Sequence, residues 1–404
     1  MTASVLYTAF DVVPSPKGAS THIVHFLRGL VNGGYRVCLL TPGDGRLPAA
    51  EPLEGAQAVR IPPLEQGSFL AQALHYGEAL QTHLEQTAAP GGPPPYDVVH
   101  FRSVWGGLQA VQCQPRLGYR TLFEVNGLPS IELKYHYPGL LGTGLLEKIK
   151  SWEQTTLLLS EQVVCPSEVT RAYLVSRGVP GERITVIPNG VNPKDFAPTP
   201  LPAPTGDPAV LLYIGTLADW QGLYDLLQAM PLILAQRPVR LRIVGRGRSR
   251  QRKALARAVR KLGLEGQVSL EPPVPHAQVP ALVAQADLCV APLGLNDRNI
   301  TQGCCPIKVL EYMAAGRPLL ASNLPVVREL AREDLDALLF SPGDPADLAR
   351  QALRLLSDRP LAERLAASAA ERAAARFTWH VAQKRLLKLY EQRLAARPAH
   401  HSRR

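Results

Sequence analysis

The sequence predicts an α/β protein built from two doubly wound domains. Three observations carry this. At 404 residues the chain exceeds what one hydrophobic core supports. Apolar runs alternate with helical patterns, which argues parallel sheets covered by helices on both faces. One stretch, "VIPNGVNPKDFAPTPLPAPTGDPAV", interrupts that alternation with Pro, Gly, Asn and Asp, and the alternation restarts beyond it.

The elements follow in order. "SVLYTAF" is a strand, "DVVPSPKGAS" a loop, and "THIVHFLRGLVNG" a helix whose N-cap is expected at Ser20 or Thr21. "YRVCLLTP", "YDVVHFRS", "RTLFEVNG" and "QVVCPS" are further strands. Helical sequence around "IELKYHYPGLLGTGLLEKIKSWEQTTLLLSE" separates the last two. "PAAEPLEGAQAV" and "TAAPGGPPP" are expected as surface loops. After the interruption come strand "VLLYIGT", helix "LYDLLQAMPLILAQ", strand "RLRIVG", a basic helix, strand "QVSLEPP", helix "QVPALVAQ", strand "LCVAPL", helix "IKVLEYMAA" and strand "PLLAS". Two helices follow, then a last amphipathic one, "TWHVAQKRLLKLYEQRL", with a polar basic tip expected to fray. The domains are placed at 1–193, completed by a helix over about 378–396, and at 207–375.

Composition is that of a globular protein, 46% hydrophobic and 19% charged, with no apolar run long enough to span a bilayer. "MTASVLYTAFDVV" lacks a basic n-region and reads as a buried strand, not a signal peptide. Six cysteines, Cys38, Cys113, Cys165, Cys289, Cys304 and Cys305, show no metal-ligand spacing and suit reduced thiols in a cytosolic protein. Net charge is +10 and uneven. Residues 1–195 hold 15 basic and 16 acidic side chains, and the remainder holds 29 and 18. Much of the excess sits in "GRGRSRQRKALARAVRKLG". It suits a solvated helix face, or attraction to anionic headgroups or a polyanionic substrate. Nucleic acid is disfavoured, because aromatic interleaving is missing.

Ligands of open parallel sheets bind where strands end and helices begin. "PSPKGASTH", with Gly18, offers close backbone approach before a helix start. "IGTLADWQG", with Gly215 and Gly222, and "VGRGRS", with Arg246 between two glycines, follow strands in the second half. "TQGCCPIKVLEYMAAGRPLL" holds a sharper signal. Pro306 suits the first helical position, and Gly316 the stop. Lys308 then lies in the first turn, beside the positive end of the helix dipole, where a cation is unfavourable unless an anion sits between. Glu311, three residues on, shares its face. A stabilising pair would place the acid first. The order therefore points to a phosphate gripped by Lys308 and the helix end, with Glu311 free for ribose hydroxyls.

Taken together, these segments resemble the retaining GT-B glycosyltransferases of family 4, across essentially the whole chain. "KGASTHIVHFLRGLVNGGYRV", "VIPNGVN", "YIGTLADWQGLYDLL", "IVGRG" and "CPIKVLEYMAAGRPLLAS" carry the resemblance in order. It implies two Rossmann-like domains facing a cleft, with the C-terminal helix crossing back to the N-domain. It also implies a nucleotide-sugar donor. Gly18 and Ala19, Gly215, Thr216, Gln221, Arg246, Arg298, Gly303, Cys304, Cys305, Pro306 and Ile307 would contact that donor, and the backbone near Pro273 and Val274 would read the base. Lys308 and Glu311 would serve the diphosphate and the ribose. No cofactor and no metal are expected, since this fold uses helix dipoles and basic side chains in place of a divalent ion.

The departures shape the expectation. Of the family's Glu-x7-Glu, Glu311 matches the second acid and Gly303 replaces the first. The basic pair common in the first C-domain loop is Thr216 and Gln221 here. Lys308, helped by Arg246 or Arg298, is expected to neutralise the diphosphate instead. Asn126 stands where relatives often carry His, and is expected to hydrogen-bond the donor sugar. In a reaction on one face of the sugar, the leaving phosphate can accept the acceptor's proton. His100, Arg102 and Glu124 are acceptor-side candidates, with Glu132 beside them. The expected activity is transfer of a sugar from a UDP- or GDP-sugar to a glycan, lipid-linked or small-molecule acceptor, in the cytoplasm or at the inner face of the membrane. The rival is a nonenzymatic relative that keeps the fold as a binding module.

Overall fold

The computed structural model describes residues 2–15, 17–89, 92–202 and 208–394. The chain divides into two compact units, Met1–Pro188 with His380–Arg404, and Asn189–Trp379.

The first unit runs β1 (Ser4–Thr8), α1 (Gly18–Asn32), β2 (Arg36–Pro42), β3 (Ala50–Leu53), β4 (Ala56–Ile61), α2 (Phe69–Thr87), β5 (Val98–Phe101), α3 (Val104–Leu117), β6 (Arg120–Glu124), α4 (Pro129–His136), α5 (Gly144–Leu159), β7 (Gln162–Cys165), α6 (Glu168–Ser176) and β8 (Ile184–Val186). Its sheet has the order β3-β4-β2-β1-β5-β6-β7-β8, and every pair except β3–β4 is parallel. The order reverses around β1, so the carboxyl ends of β1, β5 and β6 open onto the switch point where such sheets bind ligands.

Three expectations change here. "PAAEPLEGAQAV" is no loop: its two arms pair antiparallel as β3 and β4, closed by Glu54 and Gly55 at φ +52° and +81°. Two positive-φ residues are the geometry a tight hairpin needs. The long helical stretch is split into α4 and α5 by a turn over Pro138–Leu140 and by Gly142 at φ +73°. Neither Ser20 nor Thr21 caps α1. Lys17 takes the N-cap position without a side-chain bond, and Ser20 Oγ, inside the first turn, accepts from the Ser15 N–H at 2.8 Å. The loop is thereby tied to the helix that follows it.

The second unit runs β9 (Ala209–Ile214), α7 (Leu223–Leu234), β10 (Val239–Val244), α8 (Ser249–Lys261), β11 (Val268–Glu271), α9 (Val279–Ala284), β12 (Leu288–Ala291), α10 (Ile307–Ala314), β13 (Leu319–Ser322), α11 (Pro325–Arg328), β14 (Leu338–Phe340), α12 (Pro345–Ser357) and α13 (Arg359–Arg376). All its strand pairs are parallel, in the order β11-β10-β9-β12-β13-β14. The strands are nearly continuous buried runs, such as Leu288–Ala291 and Leu319–Ser322, as a sheet covered on both faces requires. The interrupting segment is held along this unit rather than left loose. Buried Arg317 donates to the Pro200 carbonyl at 3.1 Å and also bonds Thr199. Gly190 passes so close to Trp379 that a Cβ there would lie 2.3 Å from the Trp379 nitrogen. Residues 203–207 of the interrupting segment lie outside the described residues.

The last helix, α14 (Trp379–Leu389), continues into a π-helical turn, Tyr390–Leu394. From His380 on, the chain belongs to the first unit, where Gln383 Nε2 donates to the His25 carbonyl of α1 at 2.7 Å. The basic tip expected to fray lies outside the described residues.

Candidate active site

The loops expected to hold the donor meet at the carboxyl edge of the second unit's sheet. Chain packing there leaves no room for side chains at two glycines. A Cβ on Gly245, after β10, would lie 1.7 Å from the Gly215 carbonyl oxygen; one on Gly215, itself at φ +153°, would lie 2.6 Å from Lys308 Nζ. The loops after β9 and β10 are also bonded directly, Leu217 N–H to the Arg246 carbonyl at 2.8 Å.

Helix α10 begins one residue later than its sequence suggests. Pro306 is the N-cap, with ψ 105°, and the first helical residue is Ile307. The physical role is unchanged, because Pro supplies no N–H at a helix start in either register. The stop is as expected: Gly316 has φ +61°, its N–H bonds the Met313 carbonyl, and the Arg317 N–H bonds that of Tyr312. This is the doubly bonded C-terminal turn that a glycine permits. No acid lies in the first turn, and the Ile307 and Lys308 N–H groups have no acceptor among the described residues. The helix is anchored just before its first turn and again in its second. Asn189 Nδ2 donates to the Cys305 carbonyl at 2.7 Å, and Tyr312 Oη accepts from the Ile214 N–H at 2.7 Å.

Lys308 is drawn into this edge. Its Nζ donates to Tyr213 Oη at 2.8 Å and Gln221 Oε1 at 2.6 Å, and lies 4.0 Å from the centroid of the Tyr213 ring. Desolvation pushes its pKa down to about 7, with Glu311 opposing and Arg298 reinforcing the shift. Gln221, buried at 8% exposure, turns its other end to Thr216 Oγ1 at 3.3 Å. The two positions that lack the basic pair therefore form the seat of the lysine. Arg298 lies half-buried in a π-helical turn, Arg298–Gln302, with its guanidinium 5.0 Å from the Trp220 ring centroid. Arg246 is exposed. Gly303 has φ +78°, and Cys304 and Cys305 are buried free thiols.

Glu311 is 7% exposed and receives His276 Nε2 at 2.9 Å. That hydrogen bond holds the His276 pKa above its ordinary value, against desolvation. Sequence reasoning missed His276. It stands two residues after Val274, and only the fold brings that loop to α10. One Glu311 oxygen remains for a ligand.

The first unit holds a second constellation, around Glu124 at the end of β6. Its carboxylate is 1% exposed and accepts from Tyr7 Oη at 2.5 Å, from Arg102 Nε at 2.7 Å and from Asn126 Nδ2, with His22 Nε2 at 2.9 Å and His100 Nε2 at 3.2 Å beside it. Burial alone would raise its pKa; the charges of His22 and Arg102 lead the opposing effects that hold it well below the usual carboxylate range. Arg102 also pairs with Asp11 at 3.5 Å, and His100 Nδ1 meets Tyr390 Oη at 2.9 Å. Burial lowers the His100 pKa and raises that of Tyr7. Thus three of the residues singled out from sequence, His100, Arg102 and Asn126, converge on a fourth, the carboxylate of Glu124. Tyr7, Asp11, His22 and Tyr390 were missed, since each comes from a different element. Glu132 lies in the first turn of α4, and Gly18 and Ala19 begin α1. Among the described residues, no three His, Cys, Asp or Glu side chains cluster in a way that would hold a metal ion.

The model of glycosyltransferase family 4 matches residues 16–195, and that of glycosyl transferases group 1 matches 208–358. The phosphatidyl-myo-inositol mannosyltransferase of Mycobacterium leprae is 32% identical over 395 residues, covering 95% of this chain and 94% of that one. The D-inositol 3-phosphate glycosyltransferase of Thermobispora bispora is 28% identical, covering 93% and 90%. Among solved structures, sucrose-phosphate synthase from Thermosynechococcus elongatus superposes with a TM-score of 0.80 at 22% identity, covering 98% and 100%. Anabaena HepE, solved with UDP and glucose, gives 0.74 at 16%, covering 96% and 99%.

Proposed function

This chain belongs to glycosyltransferase family 4 and is a transferase enzyme of GT-B fold; from that premise we propose that it is a retaining enzyme moving a sugar from a UDP- or GDP-sugar to a glycan, lipid-linked or small-molecule acceptor. One observation carries the donor reading. The N-terminus of α10 has two free N–H groups, no acid in its first turn, and Lys308 held against Tyr213 and Gln221 beside it. A diphosphate there meets the helix dipole and one ammonium together. Glu311, fixed by His276, then takes the ribose hydroxyls on its second oxygen, and the loop at Pro273 and Val274 reads the base. Gly303 leaves the donor sugar without the carboxylate that relatives supply, and Asn126 provides a hydrogen bond in the reaction. The leaving phosphate accepts the acceptor's proton. No metal or cofactor enters this scheme.

The test is Lys308→Ala. Loss of a charge-assisted contact at a desolvated phosphate is expected to weaken UDP or GDP binding about tenfold or more. Unchanged affinity and transfer rate would remove the compensation by Lys308.

A peripheral contact with an anionic membrane surface is the second part of the reading, on the charge of α8. From Gly245 to Leu264 there are eight basic residues and no acid. Arg250, Lys253, Arg257, Arg260 and Lys261 are all exposed and fall within roughly 100° of the helix circumference, while Gln251, Leu255 and Val259 face inward. Each such cation contributes about 1 kcal/mol near anionic headgroups. No helix among the described residues is long and apolar enough to cross a membrane. The exposed charge of α8 is what supports a peripheral membrane contact. Co-sedimentation with phosphatidylglycerol but not phosphatidylcholine vesicles, lost in K253E/R257E/R260E, is the expected result; equal sedimentation with both removes it.

A further inference from the structure

We propose that Glu124 is a positioning residue: it pins the Asn126 side-chain amide with its NH2 inward, so that Asn126 presents its carbonyl oxygen outward to a hydroxyl group of a bound sugar. The sugar ligand rests on the proposed function; the amide orientation does not.

The orientation follows from the count of donors and acceptors. An ionised carboxylate only accepts. Glu124 accepts from Tyr7 Oη, Arg102 Nε and Asn126 Nδ2, and His22 Nε2 and His100 Nε2 stand within ion-pair distance of the same carboxylate. The carboxylate is held well below its usual range, so the cluster does not relax by protonating it. Turning the Asn126 amide over would set its oxygen against a carboxylate oxygen, replacing attraction with repulsion. Asn126 Oδ1 then takes no hydrogen bond from any described residue. The residue is half-buried at the carboxyl end of β6, beside the switch point of the sheet. An oriented acceptor in that place selects a ligand group that donates, and a sugar hydroxyl does. A histidine in this position has no such fixed polarity, because either ring nitrogen can carry the proton. Asn126 thus exchanges a group that can take up a proton for a fixed acceptor.

Two variants test this in the full-length protein. In wild type, the Asn126 NH2 pair, assigned by its loss in Asn126→Ala, is expected to show one proton shifted well downfield and protected from exchange. In Glu124→Gln, whose amide can donate as well as accept, that signature is expected to collapse toward the free-amide position. With UDP-glucose or GDP-mannose hydrolysis as the probe reaction, each single variant is expected to lower kcat/KM about tenfold, and the double variant no further. An Asn126 signature that is indifferent to Glu124→Gln overturns the proposal, as does a double variant whose losses multiply. Asn126→Asp supplies the check should Glu124→Gln fail to fold. It sets two carboxylates together, so its Tm deficit relative to wild type is expected to be large at pH 8 and to shrink at pH 5 as the pair takes up a proton. A deficit independent of pH shows that residue 126 does not face Glu124. Absence of hydrolysis with both probes would count against the donor reading alone, leaving the spectroscopic and Tm results to decide the orientation.

Discussion

Raising the pH from 7 to 9 should weaken nucleotide binding through one side chain. Lys308 is desolvated between Tyr213 and Gln221, and its pKa falls to about 7. At pH 7 about half the protein therefore carries the ammonium, and at pH 9 about one molecule in a hundred. A diphosphate bound beside it favours the charged form, so its arrival raises the pKa and draws in a proton. The sign follows: affinity is full below pH 7 and falls as pH rises, by up to tenfold per unit until the pKa of the complex is reached. Between pH 7 and 9 the loss should approach 50-fold, about 2.3 kcal/mol. Terminal phosphate oxygens titrate near pH 6, so this window isolates the lysine. Isothermal titration calorimetry with UDP and GDP at pH 7, 8 and 9, in two buffers of different ionisation enthalpy, reads both affinity and proton uptake. Lys308→Arg keeps its charge throughout and should flatten the profile. A wild-type Kd constant within about threefold, or an equal slope in Lys308→Arg, refutes the reasoning.

Other outcomes follow from the same packing. Lys308→Met should raise Tm at pH 7 while abolishing nucleotide binding, because a lysine with a depressed folded pKa costs stability that is recovered only as pH climbs from about 7 toward its ordinary 10.5. Gly245→Ala drives a Cβ into the Gly215 carbonyl; an overpacking cost of about 1–3 kcal/mol should lower Tm by roughly 3 to 10 °C in differential scanning fluorimetry, with donor binding lost. The His276 pKa is raised by Glu311, so the Tm advantage of wild type over His276→Ala should be complete below about pH 6.5 and decline as pH rises through the folded pKa.

The alternation of apolar runs and helical patterns made the two parallel sheets legible, because strands buried on both faces are long hydrophobic words. The β3–β4 hairpin was not, since its strands are half-exposed and its turn is Glu-Gly rather than Asn-Gly. The start of α10 and its glycine stop were readable to within one residue, and so was the electrostatic anomaly of a lysine in the first turn at Lys308. What Lys308 touches was not readable: Tyr213 is 95 residues away in the chain and Gln221 is 87. The Glu124 cluster shows the same limit. Its two histidines, Arg102 and Tyr7 come from α1, β5, the loop that follows β5, and β1, and no spacing in the sequence announces that they share a carboxylate. Glu124 is expected from the sequence as an acceptor-side contact, yet a buried carboxylate becomes affordable only where several donors converge, which is a property of the sheet and not of the segment.

The most direct measurement is a crystal structure of the chain with UDP or GDP, whichever raises Tm more. The account predicts a phosphate oxygen within hydrogen-bond distance of Lys308 Nζ, another at the Ile307 or Lys308 N–H, and Glu311 on the ribose. A diphosphate bound elsewhere, with Lys308 still seated on Tyr213 and Gln221, would contradict it.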